Sequence, residues 1–457
     1  MTEPMIQQPS GDQAAGLAAG PDAAPAQVAT RRIVALAASA FVVLAAEPLF
    51  VLVDTAVVGH LGRVPLAALG ASGTVMTLLA IVGSSLEYGT TGRAARYFGA
   101  GRRQSAVNEG VQASWLAFLL GLLAVLAGEL LAGPVAGLVA GHDPAVAHDA
   151  ERWLRIAVLG LPGVLLVLAG NGWLRGVQNT GTPVRIVVVA NVLSAIASPL
   201  LVFPAHLGLI GSAVANVIAQ WLGAALCIRA LLAERVPLIP HWRVIRVQMV
   251  VSRDLVVRAV AFQASFMIAA GVAGRLGSAQ LAAHQIGLQL WTFVALLLDS
   301  FAIAAQSLIG AALGGGDVRT ARHTAWRVSQ YGAWAGVVFA ALLAAGWLVV
   351  PHLFSGDPAV QHQAHVLWPW LLGMQPIAGI VFALDGVLLG AGDNAYMRNI
   401  TVTAALLGFI PLCLLTLPLG LGLAGVWAGL TGFILLRLIG MSWRARSGRW
   451  LVVGEQR

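Results

Sequence analysis

The chain has 457 residues, 58% of them apolar and 10% charged, with a net charge of +8 and a mean hydropathy of +0.84. A soluble domain holds nearer 45–50% apolar residues and about a quarter charged ones, so this chain lacks the polar surface to cover itself in water and reads as an integral membrane protein. Roughly 265 apolar residues, at about 20 per span, admit no more than ~13 helices, which excludes a single anchor or a bundle of few spans.

In chain order, residues 1–30 are rich in Ala, Gly, Pro and Gln without periodicity and read as a disordered tail. Arg31 and Arg32 precede an apolar run from Ile33 to Val58. That run is too long, and starts too late, for a signal-peptide core, so it is the first predicted span. Further spans are expected near 66–91, 111–139, 154–174, 184–203, 209–232, 256–274, 280–312, 328–350, 366–390, 399–417 and 420–441, twelve in all. Between the sixth and seventh, residues 233–254 form a linker with Pro237, Pro240 and the stretch HWRVIRVQMVV. That stretch suits either the surface of an anionic leaflet or a plain solvated linker. Residues 444–457 form a second polar tail.

All 27 basic residues are arginines. With the N-terminus cytoplasmic, 23 of them fall on the inner side and only Arg63, Arg152, Arg155 and Arg275 on the outer. The positive-inside rule therefore supports twelve spans with both termini and the 233–254 linker cytoplasmic. The net charge is a topology signal, and no nucleic-acid partner is implied. Without lysine there is no Walker A motif and no Schiff-base chemistry, so energy must come from outside the chain. Cys227 and Cys413 sit in apolar runs without CxxC spacing, which suggests neither a disulfide nor a zinc site.

Sliding the chain by 215 residues brings Gly59, Leu61 and Gly62 onto Gly274, Leu276 and Gly277, and Gly99 and Gly101 onto Gly314 and Gly316. At an offset of 214, Asp143 to Val146 repeats as Asp357 to Val360, and Gly172, Leu174 and Gly176 as Gly386, Leu388 and Gly390. The fold class is thus an all-α polytopic membrane protein, twelve transmembrane helices in two pseudo-symmetric six-helix bundles, residues 31–232 and 255–443. Because six is even, both halves enter the membrane the same way and their axis runs along the membrane normal, leaving a central cleft.

A carboxylate inside a span costs about 2.5–3.5 kcal/mol on insertion scales and marks a candidate site. Glu47 and Asp54 lie seven residues apart on one face of the first helix, with the helix-bending Pro48 between them. They read as a protonatable pair; the alternative is a hydrated Asp54 near the helix end and a packing role for Glu47. Their second-half counterparts, Phe262 and Ala269, are apolar, whereas that half carries Asp299 and Asp385 opposite Ser84 and Asn171. Asp299 and Asp385 are candidates for the substrate cleft, together with Asn191, Ser194, Ser198 and Gln263, or else pair with donors inside the bundle. Glu87 and Glu129 sit nearer span ends. The loop residues His142, Asp143, His148 and Asp149, and His352, His362 and His365, fit no metal-ligand spacing, so no metal site is expected.

PLFVLVDTAVVGHLG (Pro48–Gly62), LEYGTTGRAARYFGAG, LRGVQNTGTPV and LDGVLLGAGDN (Leu384–Asn394) closely resemble the multidrug and toxic compound extrusion (MATE) family, in particular its DNA-damage-inducible F-like branch. The resemblance covers about residues 33–441. It implies the MATE fold and a secondary antiporter of the cell inner membrane, exporting organic compounds against protons or sodium ions, with no other cofactor and as a monomer. It maps the family's first-helix aspartate onto Asp54 and its tenth-helix acid onto Asp385. The family's N-x-x-N-x-x-x-D-P pattern reads here with Asn191, then Ser194 and Ser198 in place of the second Asn and the Asp, then Pro199. Losing that Asp weakens a sodium site, which wants several hard oxygens with net negative charge, and leaves Asp54 and Glu47 as the proton carriers. A lipid-linked precursor flippase of the wider superfamily would need a cationic cleft, and few arginines are expected at membrane depth. A membrane-embedded enzyme finds no HExxH or GxGD motif in its support.

Overall fold

The computed structural model describes residues 25–140 and 143–455. Every regular element among them is helical, and twelve helices are long and apolar enough to cross a membrane. They are α1 (Pro25–Gly59), α2 (Arg63–Gly99), α3 (Arg103–Val139), α4 (Pro144–Gly176), α5 (Gly181–Val202), α6 (Leu209–Ala233), α7 (Trp242–Leu276), α8 (Ser278–Gly314), α9 (Val318–Ala345), α10 (Pro358–Gly390), α11 (Asn394–Leu415) and α12 (Gly422–Ser447). The α1–α2 and α7–α8 turns are built alike, with Gly62 at φ 120° and Gly277 at φ 142°, a backbone that disfavours side chains. Asp143 and Asp357, equivalent in the repeat, each cap the helix that follows, accepting bonds from the backbone N–H of Ala145 and Ala359.

Three expected boundaries move. Residues 25–30, assigned to the tail on composition, are the first turns of α1, since a formed helix propagates through Ala, Gln, Val and Thr at little cost. The linker is non-helical only over 234–241, where Pro237 and Pro240 lie. Residues 242–254 instead open α7, because Ile245, Gln248 and Leu255 recur at helical spacing and are buried. Residues 444–447 complete α12. Residues 1–24, His142 and Arg457 lie outside the described residues.

Small residues let helices approach within each bundle. The Gly121 backbone lies against Pro162 on α4, and its repeat partner Gly336 lies against Gln375 and Pro376 on α10. α11 widens to a π-helical turn over Ala404–Phe409, just ahead of Pro411, whose missing N–H leaves a carbonyl one turn earlier without its usual partner. The second bundle encloses one continuous core around Trp291, Trp368, Phe409 and Trp427. The first has three smaller clusters along its length.

The bundles exchange helix halves. At the arginine-rich end α1 leaves its own bundle: Ile33 is buried in the second bundle's core, Leu36 and Ala37 pack on Ala304 of α8, and the Thr30 and Tyr331 hydroxyls meet at 2.7 Å. α7 does the reverse, placing Ile245 in a first-bundle cluster and donating from Gln248 to Glu109 of α3 at 2.8 Å. Between these crossings α2 and α8 meet about the pseudo-two-fold axis. A Cβ on Gly99 would overlap the Ala311 carbonyl, and one on Gly314 would overlap the carbonyl of Arg96, the repeat counterpart of Ala311. Arg96 ties the junction further, donating to the Ala391 carbonyl at 2.7 Å and to the Gly454 carbonyl at 2.9 Å.

Candidate functional site

Toward the other end α1 returns to the first bundle and packs on α5. There Asp54, 5% exposed, accepts a 2.7 Å hydrogen bond from the Ser198 hydroxyl of α5, and the Ser212 hydroxyl of α6 lies close by. Ser212 in turn accepts from the indole N–H of Trp153 on α4 at 3.0 Å. Ser194, one turn before Ser198 on the same face, is buried, and its hydroxyl has no partner among the described residues. Asn191 is a further turn away and donates to its own helix, at the Val187 carbonyl. The sequence pattern located Asp54, Ser194 and Ser198. It missed Ser212 and Trp153, whose only signal is a lone hydroxyl and an indole within apolar helices.

Glu47 does not join Asp54. It is exposed at the place where α1 passes from one bundle to the other, with Pro48 beside it inside the continuous helix. The two acids sit at different levels, one in a closed polar pocket and one on an open surface.

The neighbours of Glu47 form a second polar layer at the floor between the bundles. Glu87 of α2, buried, is ion-paired with Arg175 of α4 and feels the charges of Glu47 and Asp299. Tyr88, the next residue, donates from its hydroxyl to Asp299 Oδ2 of α8 at 2.6 Å. Behind Asp299, Asp385 of α10 is held by two guanidinium groups, Arg437 of α12 at 2.6 Å and Arg258 of α7 at 2.9 Å. Arg437 is fully buried and lies over the Phe262 ring, its centre 4.6 Å from the ring centroid. Gln263, next to Phe262, is half-buried on α7.

Four arginines are buried in the fold, Arg96, Arg175 and Arg437 wholly and Arg258 largely, and Arg96 and Arg175 lie in the last turns of their helices. Insertion cost disfavours a lone charge there, but each of Arg175, Arg258 and Arg437 is bonded to a carboxylate, so the floor is not the cationic surface a pyrophosphate would need. Glu129 of α3 pairs with Arg155 of α4 at 3.6 Å, and His365 stacks on Trp347.

The MatE family model matches residues 39–200 and 255–415, one segment in each half. The chain is 34% identical to DNA damage-inducible protein F of Escherichia coli over 426 residues, covering 88% of this chain and 90% of that protein. It is also 34% identical over 437 residues to protein DETOXIFICATION 44, chloroplastic, of Arabidopsis thaliana, covering 92% and 83%. A probable multidrug resistance protein NorM of Rhizobium meliloti is 28% identical over 415 residues, 86% and 87% of the two chains. Among solved structures, MATE in the bent conformation superposes with a TM-score of 0.82 at 19% identity, covering 92% of this chain and 96% of that one. The eukaryotic MATE transporter AtDTX14 gives 0.82 at 17%, covering 93% and 97%, and both likenesses show the fold. With the family model matching both halves and the relatives spanning most of the chain, the protein belongs to the MatE family of multidrug and toxic compound efflux transporters, which are not enzymes.

Proposed function

We propose that the protein exports organic, cationic or amphipathic compounds in exchange for protons by alternating access, as a monomer in the plasma membrane with both termini cytoplasmic. The observation that carries this reading is the placement of Asp54. It is a buried acid among serine hydroxyls, on a helix whose other half belongs to the seal between the bundles. A proton there changes what α1 can bond to on α5 and α6, and the Pro48 joint lets that change reach the crossing point below. With the arginine-rich end cytoplasmic, the inner side is closed and the cleft above Glu47 faces out, the state that releases cargo and takes up protons. Coupling follows from differential affinity, since a cationic compound favours the ionised site and a proton the empty one.

The test is export by purified protein in proteoliposomes. An imposed pH gradient should drive efflux of a cationic dye, Asp54→Asn should abolish it without changing the folded yield, and Asp54→Glu should retain part of it. A second reading, sodium coupling, is favoured by the unpartnered Ser194 hydroxyl, which adds one more hard oxygen beside Asp54. Efflux sustained by a sodium gradient at constant pH would select that reading and overturn proton coupling.

A further inference from the structure

We infer that Tyr88 and Asp299 form a latch across the two bundles that proton uptake releases, so that Asp299, besides Asp54, sets when the inner seal opens. This rests on the proton-coupled reading above. Among the described residues, Asp299 and Glu47 are the two carboxylates of this layer that no guanidinium reaches at ion-pair distance, and of the two only Asp299 bonds across the bundle boundary. Its partner there is a hydroxyl, at 2.6 Å, from the helix that forms the seal.

The position is where α2 and α8 begin to part. From Tyr88 toward the arginine-rich end, Gln306 of α8 donates to the Tyr88 carbonyl, Gly310 packs on Ala95, and the Gly99 and Gly314 contacts follow. In the other direction α2 exposes Val82, Leu79 and Leu78, and α8 exposes Phe293. The latch thus lies at the end of this run of contacts, with both residues half-buried.

The charged groups around Asp299 are already committed to one another. Arg175 of α4 is bound to Glu87 of α2, while Arg258 of α7 shares Asp385 of α10 with Arg437 of α12. Their fields reach Asp299 together with that of the Tyr88 hydroxyl, but the hydroxyl alone makes a direct bond. A hydrogen bond to an ionised carboxylate is about twice as strong as one between neutral groups. A proton on Asp299 therefore weakens the first rung without disturbing the arginine pairs behind it. The sign suits exchange: a proton entering from the open side loosens the closed side.

The inference is tested by measuring the gap at the sealed end directly, without substrate. Spin labels go on cysteines at Gln104 and Thr320, both exposed in the first turns of α3 and α9 at the arginine-rich end, with the buried Cys227 and Cys413 replaced by alanine. In lipid nanodiscs the wild type should show the short label separation at alkaline pH and gain a longer one on acidification. Asp299→Asn should hold the longer separation at every pH, Asp299→Glu should restore the pH dependence, and Tyr88→Phe should enlarge the long population at alkaline pH. A wild-type pH response in Asp299→Asn overturns the inference, as does its loss in Asp54→Asn alone. Failure of proton-driven export in the proteoliposome assay would instead strike the underlying reading, so the two failures are separable.

Discussion

Asp54 and Asp385 are both buried acids within spans, and their partners assign them different work. Asp54 is met by hydroxyls, which bond either protonation state, whereas Asp385 is gripped by Arg437 and Arg258. The two guanidinium partners mark Asp385 as a structural post between α7, α10 and α12, whereas the family resemblance mapped a tenth-helix acid of the cleft onto it. Removing its charge leaves two guanidinium groups uncompensated, one of them fully buried. Asp385→Asn should thus cost about 3–5 kcal/mol of stability, visible as a lower melting temperature in detergent and reduced membrane expression. The triple change Asp385→Leu, Arg437→Met and Arg258→Met, which leaves neither guanidinium stranded, should recover most of that loss. Ser198→Ala beside Asp54 removes one hydroxyl bond, and interhelical bonds in membranes average about 0.6 kcal/mol, so its melting temperature should stay near wild type while the pH dependence of efflux shifts. The sequence exposed Asp54 because an acid stands out in an apolar helix. It hid Arg437 because an arginine near a span end counts as topology until the structure shows which way it points.

Helices, in turn, carry the motion through their contacts. α1 is shared: its first half belongs to the seal with α8 and its second half to the Asp54 pocket with α5, so movement at one end must be taken up near Pro48 or passed to the other. The seal itself is held by missing side chains. Gly99 and Gly314 allow the α2 and α8 backbones to touch, and an added methyl at either would meet a carbonyl that cannot yield as a flexible side chain would. Overpacking of this kind costs about 1–3 kcal/mol, so Gly314→Ala should shift the protein away from the conformation in which the arginine-rich end is sealed. Thiol labelling of a cysteine at Ala95, on the axis, should then speed up from the arginine-rich side, with slower efflux. Both glycines were legible as a repeat match at an offset of 215 residues. That they press against each other's helix was not, because an internal repeat tells that two halves are alike without telling which faces meet. The same limit hid the swap of α1 and α7, whose buried positions look alike whichever bundle covers them.

Across the whole molecule, the count of twelve spans follows from apolar length and stands in the structure, while orientation rests on the arginines. That argument needs refinement now that some of them are bound inside the fold. Arg93 is paired with Glu109, Arg175 with Glu87, Arg258 and Arg437 with Asp385, and Arg96 with two carbonyls, so none of these five reports freely on the leaflet. Setting them aside, Arg102, Arg103, Arg243, Arg253, Arg319 and Arg446 still lie at or near the sealed end, outside or in the first or last turns of their helices, except that Arg253 sits deeper in α7. Among the four at the other end, Arg155 is drawn to Glu151 at 2.7 Å and to Glu129. The asymmetry therefore survives by number, although Arg102, Arg103 and Arg253 are themselves paired with Glu455, Glu234 and Asp254. Positive residues resist translocation, so the sealed end should face the cytoplasm. Paired reporters, one active only inside and one only outside, fused after Arg457 and inserted in the non-helical segment 234–241, should both score as inside. An insertion between α3 and α4 should score as outside. An outside signal from the chain end would invert the molecule, turning the cleft toward the cytoplasm and making the captured state the one that loads cargo instead of releasing it.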